Sequence, residues 1–314
     1  MYQKEKEIAI AAVRQASRLC EKVRAAIPPA LAKEDKSPVT VADFGSQAII
    51  CKAIREAFPD DPIVAEECAQ QLRQPGATEI LSQVTRYVQE IIPSATADEV
   101  LDWIDYGNGT VGERFWTLDP IDGTKGFLRQ DQYAIALALI EGGEVKLGIL
   151  GCPALWDGTL FVAVRDEGSY RMPLTGEEAV RLQVVDSQTG EYFRLVESVE
   201  SSHGDSERQN AIARAVGITN PSLKVDSQAK YGIVASGRAA LYLRLPSPKY
   251  PDYRENIWDH AAGAIIVEQA GGIVTDMFGK PLDFFSSPKM INNRGIVASC
   301  GSIHQAVLKA LSSQ

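Results

Sequence analysis

Apolar side chains near the start of the chain fall at Ile8, Ala12, Ala16, Leu19, Cys20, Val23 and Ile27, mostly three and four residues apart. That is the repeat of one helix face, so the spacing predicts a helix over residues 5–27, ended by Pro28-Pro29. A second helix is expected to follow Thr40 and to run to Ala57, before Pro59. Pro62-Ile-Val-Ala65 then reads as a short buried strand that delivers Glu66 and Glu67 at its exit. Residues 69–110 carry two shorter helical patterns, separated by Pro93 and closed by Gly107-Asn-Gly109, and are expected to form an inserted lid. Strand signals follow at Arg114–Leu118, Tyr133–Ile140, Val145–Leu150, Thr159–Val164 and Ser169–Met172, with glycine turns between the later runs.

Beyond the polar stretch 173–191 the pattern alternates. Strands are expected at Phe193–Glu197, Leu223–Val225, Ala240–Leu245 and Ile273–Thr275, with helices near 205–216, 228–237 and 258–270. The chain therefore divides into an α+β half, residues 1–186, in which an antiparallel sheet lies over helices, and an α/β half, residues 187–314. A length of 314 residues, 45% of them hydrophobic and 23% charged, suffices for a core in each half. Lys and Arg number 32 against 41 Asp and Glu, a net charge of −9 with no basic tract, which excludes wrapping of duplex nucleic acid by phosphate neutralisation. The longest apolar run, Tyr133–Ile140, is too short for a membrane span, and the first residues lack the basic-then-apolar order of a secretory signal. Cytoplasm is the expected compartment, with a trimmed organellar transit peptide left open. Cys20, Cys51, Cys68, Cys152 and Cys300 match no zinc or redox spacing and are expected to be reduced core residues.

Chemistry concentrates in Trp116-Thr-Leu-Asp119-Pro-Ile-Asp122-Gly-Thr124, where an apolar strand ends in two carboxylates three residues apart. Pro120 and Gly123 favour a turn that lets both acids converge. Carboxylates and an intervening carbonyl are hard oxygen donors suited to Mg²⁺, and amides after Gly123 are placed to receive a phosphate. Glu66, Glu67, Asp43 and Asp259 are further acids in apolar surroundings, where burial is costly without cations or donors. Each has a plainer reading: Thr40-Val-Ala-Asp43 fits a helix capping box, and Asp259 fits a first-turn acid.

Four ordered motifs, Ser37-Pro-Val-Thr-Val-Ala-Asp43, Ala65-Glu66-Glu67, Asp119-Pro-Ile-Asp-Gly-Thr124 and Trp258-Asp-His-Ala-Ala-Gly263, resemble the lithium-sensitive, Mg²⁺-dependent phosphatases of the inositol monophosphatase and fructose-1,6-bisphosphatase superfamily. Lys125-Gly-Phe-Leu-Arg129, Val225-Asp-Ser-Gln-Ala-Lys-Tyr231 and Leu241-Tyr-Leu-Arg-Leu-Pro246 resemble more narrowly the 3′(2′),5′-bisphosphate nucleotidases. The resemblance implies an α-β-α-β-α layered, sugar-phosphatase-like fold and two or three Mg²⁺ ions, with Li⁺ as inhibitor. It makes Glu66, Asp119 and the Ile121 carbonyl ligands of one ion, Asp119, Asp122 and Asp259 ligands of a second, and Asp43 with Glu66 holders of a third. Thr124 with Asp43 then positions and deprotonates the attacking water, and the Gly123 and Thr124 amides hold the phosphate.

On the substrate's nucleoside side the resemblance points to His203, Ser227, Lys230 and Arg244. Taken alone, these are equally a loop histidine, a solvated helix-face lysine and a strand-edge arginine. His260 and Trp258 are expected to support Asp259 by packing or hydrogen bonding. The implied reaction removes the 3′-phosphate of adenosine 3′,5′-bisphosphate, with its 5′-phosphosulfate relative as a second candidate substrate. Two rivals stay open: an inositol mono- or polyphosphate 1-phosphatase with the same metal site, and a non-catalytic nucleotide or metal sensor. A monomer and a homodimer are both compatible with the sequence.

Overall fold

In the computed structural model, residues 1–26, 37–186, 190–199, 206–247, 249–250 and 252–313 are described. The first layer holds helices α1 (Gln3–Ala25) and α2 (Ser37–Ala57), packed on each other. Against α2 lie α3 (Thr78–Gln89) and α4 (Ala97–Asp105), the two helices of the segment expected as a lid. Val84, Val88, Val100, Leu101 and Ile104 are buried in the core shared with α1 and α2, and the segment is absent from the lining of the site's cavity described below. The regular three-and-four spacing of those residues is the signature of a helix with a tertiary partner, which a loose flap does not need.

The second layer is a seven-stranded sheet in sequence order, β1 (Ile63–Ala65), β2 (Arg114–Asp122), β3 (Ala134–Glu141), β4 (Glu144–Cys152), β5 (Thr159–Val164), β6 (Gly168–Pro173) and β7 (Val180–Arg181). All neighbours are antiparallel except β1 and β2, which are parallel. On β3 the alternation separates two faces: Ile135, Leu137 and Leu139 join the core under α1 and α2, while Ala134, Ala136, Ala138 and Ile140 join the core on the opposite side. Alanines suit that second face because α8 (Ala261–Gln269) lies close against it, where a Cβ on Gly148 of β4 would come within 2.4 Å of Ile265.

Helices α7 (Ala229–Ala235) and α8 form the third layer, and a five-stranded mixed sheet forms the fourth. Its strands are β8 (Leu195–Glu197), β9 (Leu223–Lys224), β10 (Leu241–Arg244), β11 (Ile273–Thr275) and β12 (Ile296–Ser299), in the order β11-β12-β10-β8-β9. Two further helices, α6 (Ser206–Ala215) and α9 (His304–Ser312), pack on each other, with α9 also against β12. One continuous core runs from Phe115 of the first sheet to Val297 of the second, so the two halves share their packing. The expected α-β-α-β-α layering is present. Among the described residues no helix is long and apolar enough to cross a membrane, and the five cysteines are free, four of them buried.

Candidate active site

Parallel pairing of β1 with β2 sets the first two acids side by side. Ala65 is opposite Leu118, and Glu66 N donates to Leu118 O at 3.2 Å, so Glu66 and Asp119 leave the strand pair together. Instead of turning at Pro120, as the sequence suggested, β2 continues to Asp122 through a bulge: Asp119 faces Ala136, but Asp122 faces Ala134. Strand residues three apart point to opposite faces, and the extra residue of the bulge cancels that alternation. Pro120 fits because it has no N–H to lose, and its carbonyl accepts from Ser46 Oγ at 3.1 Å. The reversal comes at Gly123, just before the short helix α5 (Thr124–Leu128): its φ is +90°, and a Cβ there would lie 2.8 Å from Ser227 Cβ.

Helix α2 starts at Ser37, which excludes the capping-box reading of Asp43: it lies in the second turn, 8% exposed. Burial first, then Glu67 and Glu66, push its carboxyl well above the usual range. One turn on, the Gln47 amide donates to Glu67 O at 2.6 Å and Ile104 O at 2.9 Å, and its oxygen accepts from Glu67 N at 3.1 Å. It thereby ties the exit of β1 to α4.

The opposite wall comes from the second half of the chain. Asp122 accepts from the backbone N–H of Gln228, whose side chain donates to Trp258 O at 2.9 Å. Asp259 sits in a short 3-10 turn, Ile257–Asp259, and does satisfy the plainer reading by accepting from Asn256 N at 3.0 Å and Asn256 Nδ2 at 3.2 Å. It also faces a cavity of about 450 Å³ lined by Glu66, Asp122, Gly123 and Thr124. Ser227, Lys230 and Arg244 line the same cavity, so three of the four residues expected for the nucleoside side meet the acids there. His203 lies outside the described residues.

Lys230 is not the solvated lysine of the plainer reading. It is 4% exposed, its ammonium donates to Ser227 O at 2.7 Å and Val225 O at 3.3 Å, and burial lowers its pKa to about 8. Arg244 donates through Nε to Glu255 Oε1 at 3.0 Å. Against the push of burial, His260 and Arg244 hold Glu255 down to about 2, so it stays charged. His260 lies 3.5 Å from Glu255 through Nε2 and 2.8 Å from the Tyr231 hydroxyl through Nδ1, a supporting position beside Asp259.

The acids behave as a cluster that lacks counter-charge. Glu66 is pushed up to about 7 by burial, then by Asp259 and Glu67. Asp259 rises to about 6, through burial and Asp122 against the opposing pull of His260. Asp119, 2% exposed, is driven well above its ordinary range by burial and by Glu66 and Asp122. Crowded carboxylates that repel one another, Asp119 buried among them and oxygen the donor atom throughout, fit a hard divalent cation such as Mg²⁺. Ligand atoms of Glu255, Asp259 and His260 also lie within 4.8 Å of one another, but Glu255 is already paired with Arg244.

Sequence reasoning missed Glu255, Gln228 and Gln47. Gln47 had a readable signal, one turn beyond Asp43 on a predicted helix. Glu255 and Gln228 had none, because what matters about them is contact between segments apart in sequence: Glu255 with Arg244, and Gln228 with Asp122 across the halves.

The inositol monophosphatase family model matches residues 4–314. A protein of Schizosaccharomyces pombe named 3′(2′),5′-bisphosphate nucleotidase is 44% identical, the match covering 98% of this chain and 94% of that one. Proteins of the same name from Emericella nidulans and Oryza sativa are 41% and 40% identical, each over 99% of this chain and over 98% and 94% of their own. Among solved structures, Thermotoga maritima IMPase aligns with a TM-score of 0.66 at 24% identity, covering 99% of this chain and 98% of its own. CysQ from Bacteroides thetaiotaomicron aligns with a TM-score of 0.62 at 20% identity, over 95% and 98%. The solved structures speak for the fold and the full-length sequence matches for kinship: the chain belongs to the inositol monophosphatase family.

Proposed function

We propose that this protein is a Mg²⁺-dependent phosphatase that hydrolyses the 3′-phosphate of adenosine 3′,5′-bisphosphate, giving AMP and phosphate. The observation that carries the reading is one cavity in which Glu66, Asp122 and Asp259 face Ser227, Lys230 and Arg244. Acids alone suit cations; acids opposite a buried lysine and a half-buried arginine suit a substrate with a second anionic group. The names of the relatives at 40–44% identity support the same substrate class.

Glu66, Asp119, Asp122 and Asp259, with the Ile121 carbonyl, would hold Mg²⁺, and Asp43 would orient a water-rich site beside Glu66. When bound, Mg²⁺ makes hydroxide available near neutral pH and neutralises charge on the phosphate. The Thr124 hydroxyl positions the attacking water and passes its proton toward Asp43, whose carboxylate is made a stronger proton acceptor than an ordinary aspartate by burial and by the nearby Glu67 and Glu66. The oxygen of that water bonds to phosphorus as the bond to the 3′-oxygen breaks, and the 3′-oxygen takes up a proton. Amides at Gly123 and Thr124, on the wall of the same cavity, receive the phosphate.

Phosphate release from adenosine 3′,5′-bisphosphate, AMP, inositol 1-phosphate and inositol 1,4-bisphosphate, with Mg²⁺ and with or without Li⁺, tests the proposal. Li⁺-sensitive selectivity for the adenosine bisphosphate is the expected result. Preference for an inositol phosphate would retain the metal chemistry and remove the roles given to Ser227, Lys230 and Arg244; no release from any would favour a sensor.

A further inference from the structure

Glu255 has no part in the chemistry above, yet it stands on the cavity wall paired with a cationic side chain. Its Oε1 takes the Nε–H of Arg244 at 3.0 Å, and its Oε2 lies 3.5 Å from His260 Nε2. Its own backbone is fixed independently: its carbonyl accepts from Met290 N at 2.9 Å, and the next residue, Asn256, pairs with Lys289. Arg244 is the reverse case. Its backbone is set as the last residue of β10, but its long side chain stands in a cavity that also holds Glu66, Asp122 and Asp259. A guanidinium left to itself among those acids would turn toward them, competing with cations there. Held through Nε, it keeps its two terminal NH₂ groups, the fork that matches a phosphate.

We propose that Glu255 is a positioning residue for substrate selection: it anchors Arg244 by Nε, away from the metal-binding acids, and so orients the guanidinium fork toward the phosphate of the substrate that is not cleaved. The inference rests on the proposed bisphosphate nucleotidase function and names the residue that sets its preference for a bisphosphate over a monophosphate.

The test compares adenosine 3′,5′-bisphosphate with adenosine 3′-monophosphate in wild-type protein, Glu255→Gln, Arg244→Ala and the double variant. Glutamine keeps the size of the side chain and removes its charge. In Glu255→Gln, kcat/KM for the bisphosphate is expected to fall roughly tenfold through KM, as for loss of one charge-assisted hydrogen bond, and that for the monophosphate by less than about twofold. Arg244→Ala loses the same discrimination, and adding Glu255→Gln to it changes the ratio no further. An equal fall on both substrates makes Glu255 a prop for the Asp259 turn and overturns the proposal. Unchanged selectivity in Glu255→Gln, or full additivity in the double variant, overturns it equally. Wild-type protein that does not distinguish the two substrates removes the functional reading, and this inference with it.

Discussion

At Gly123 one residue answers to two demands, a left-handed backbone with φ +90° and a neighbour, Ser227, that leaves no room for a Cβ. Gly123→Ala is therefore expected to lower stability by about 1–3 kcal/mol, read as a fall in melting temperature, and to reduce activity more than any exposed Gly→Ala change. Asp122 is different, because its removal relieves repulsion. Asp122→Asn is expected to reduce phosphate release by about a thousandfold or more, while the metal-free protein melts no lower than wild type. A fall in melting temperature of many degrees would mean that Asp122 is a structural residue. Residues of this kind were legible in the sequence because their chemistry is local: Asp119, Pro120, Asp122 and Gly123 are adjacent, and each type has few reasons to be there. Glu255 was illegible for the opposite reason, since an acid eleven residues beyond Arg244 acquires meaning only when β10 and the 3-10 turn are brought together.

At the scale of elements, the acids depend on how β1 is held. Three residues long and parallel to β2, it is stitched on its other side by the Gly107-Asn-Gly109 segment, whose Gly107 O accepts from Ala65 N at 2.8 Å and whose Gly109 N donates to Ile63 O at 2.7 Å. Gln47 completes the clamp, and a Cβ at Gly107 would come within 2.6 Å of its amide. Gln47→Ala takes the side-chain partner from the Glu67 N–H and carbonyl and leaves Ile104 O with its backbone donor Gly107 N alone. It should cost about 2–4 kcal/mol in urea unfolding and raise the Mg²⁺ concentration needed for half-maximal activity. If stability falls while the Mg²⁺ requirement stays put, the clamp serves the fold and not the site. Most elements could be read from periodicity, but β12 could not. Gly295-Ile-Val-Ala-Ser299 is too short and too uniformly apolar to separate strand from buried coil, although it became a central strand of the second sheet.

For the whole molecule, the raised carboxyl groups couple stability to pH. Glu66 at about 7 and Asp259 at about 6 hold protons in the folded state at pH values where the unfolded chain has released them. Their stabilising contribution is present in acid and is lost as pH rises through about 6–7 in the metal-free protein. Mg²⁺, bound by the folded state alone, replaces that contribution where protons no longer compete. Added Mg²⁺ should therefore raise the melting temperature more at pH 8 than at pH 5; equal shifts at the two pH values would count against a metal site built from these acids.

The order of synthesis gives the shared core a further consequence. Sheet strands β1 to β7 are complete by Arg181, but the helices covering the Ala134, Ala136 and Ala138 face, α7 and α8, are not finished until Ala235 and Gln269. At about 5–20 residues per second, a nascent chain carries that bare apolar sheet for several seconds. The protein's greatest exposure to aggregation, and its greatest need for a chaperone, falls in that interval on the ribosome.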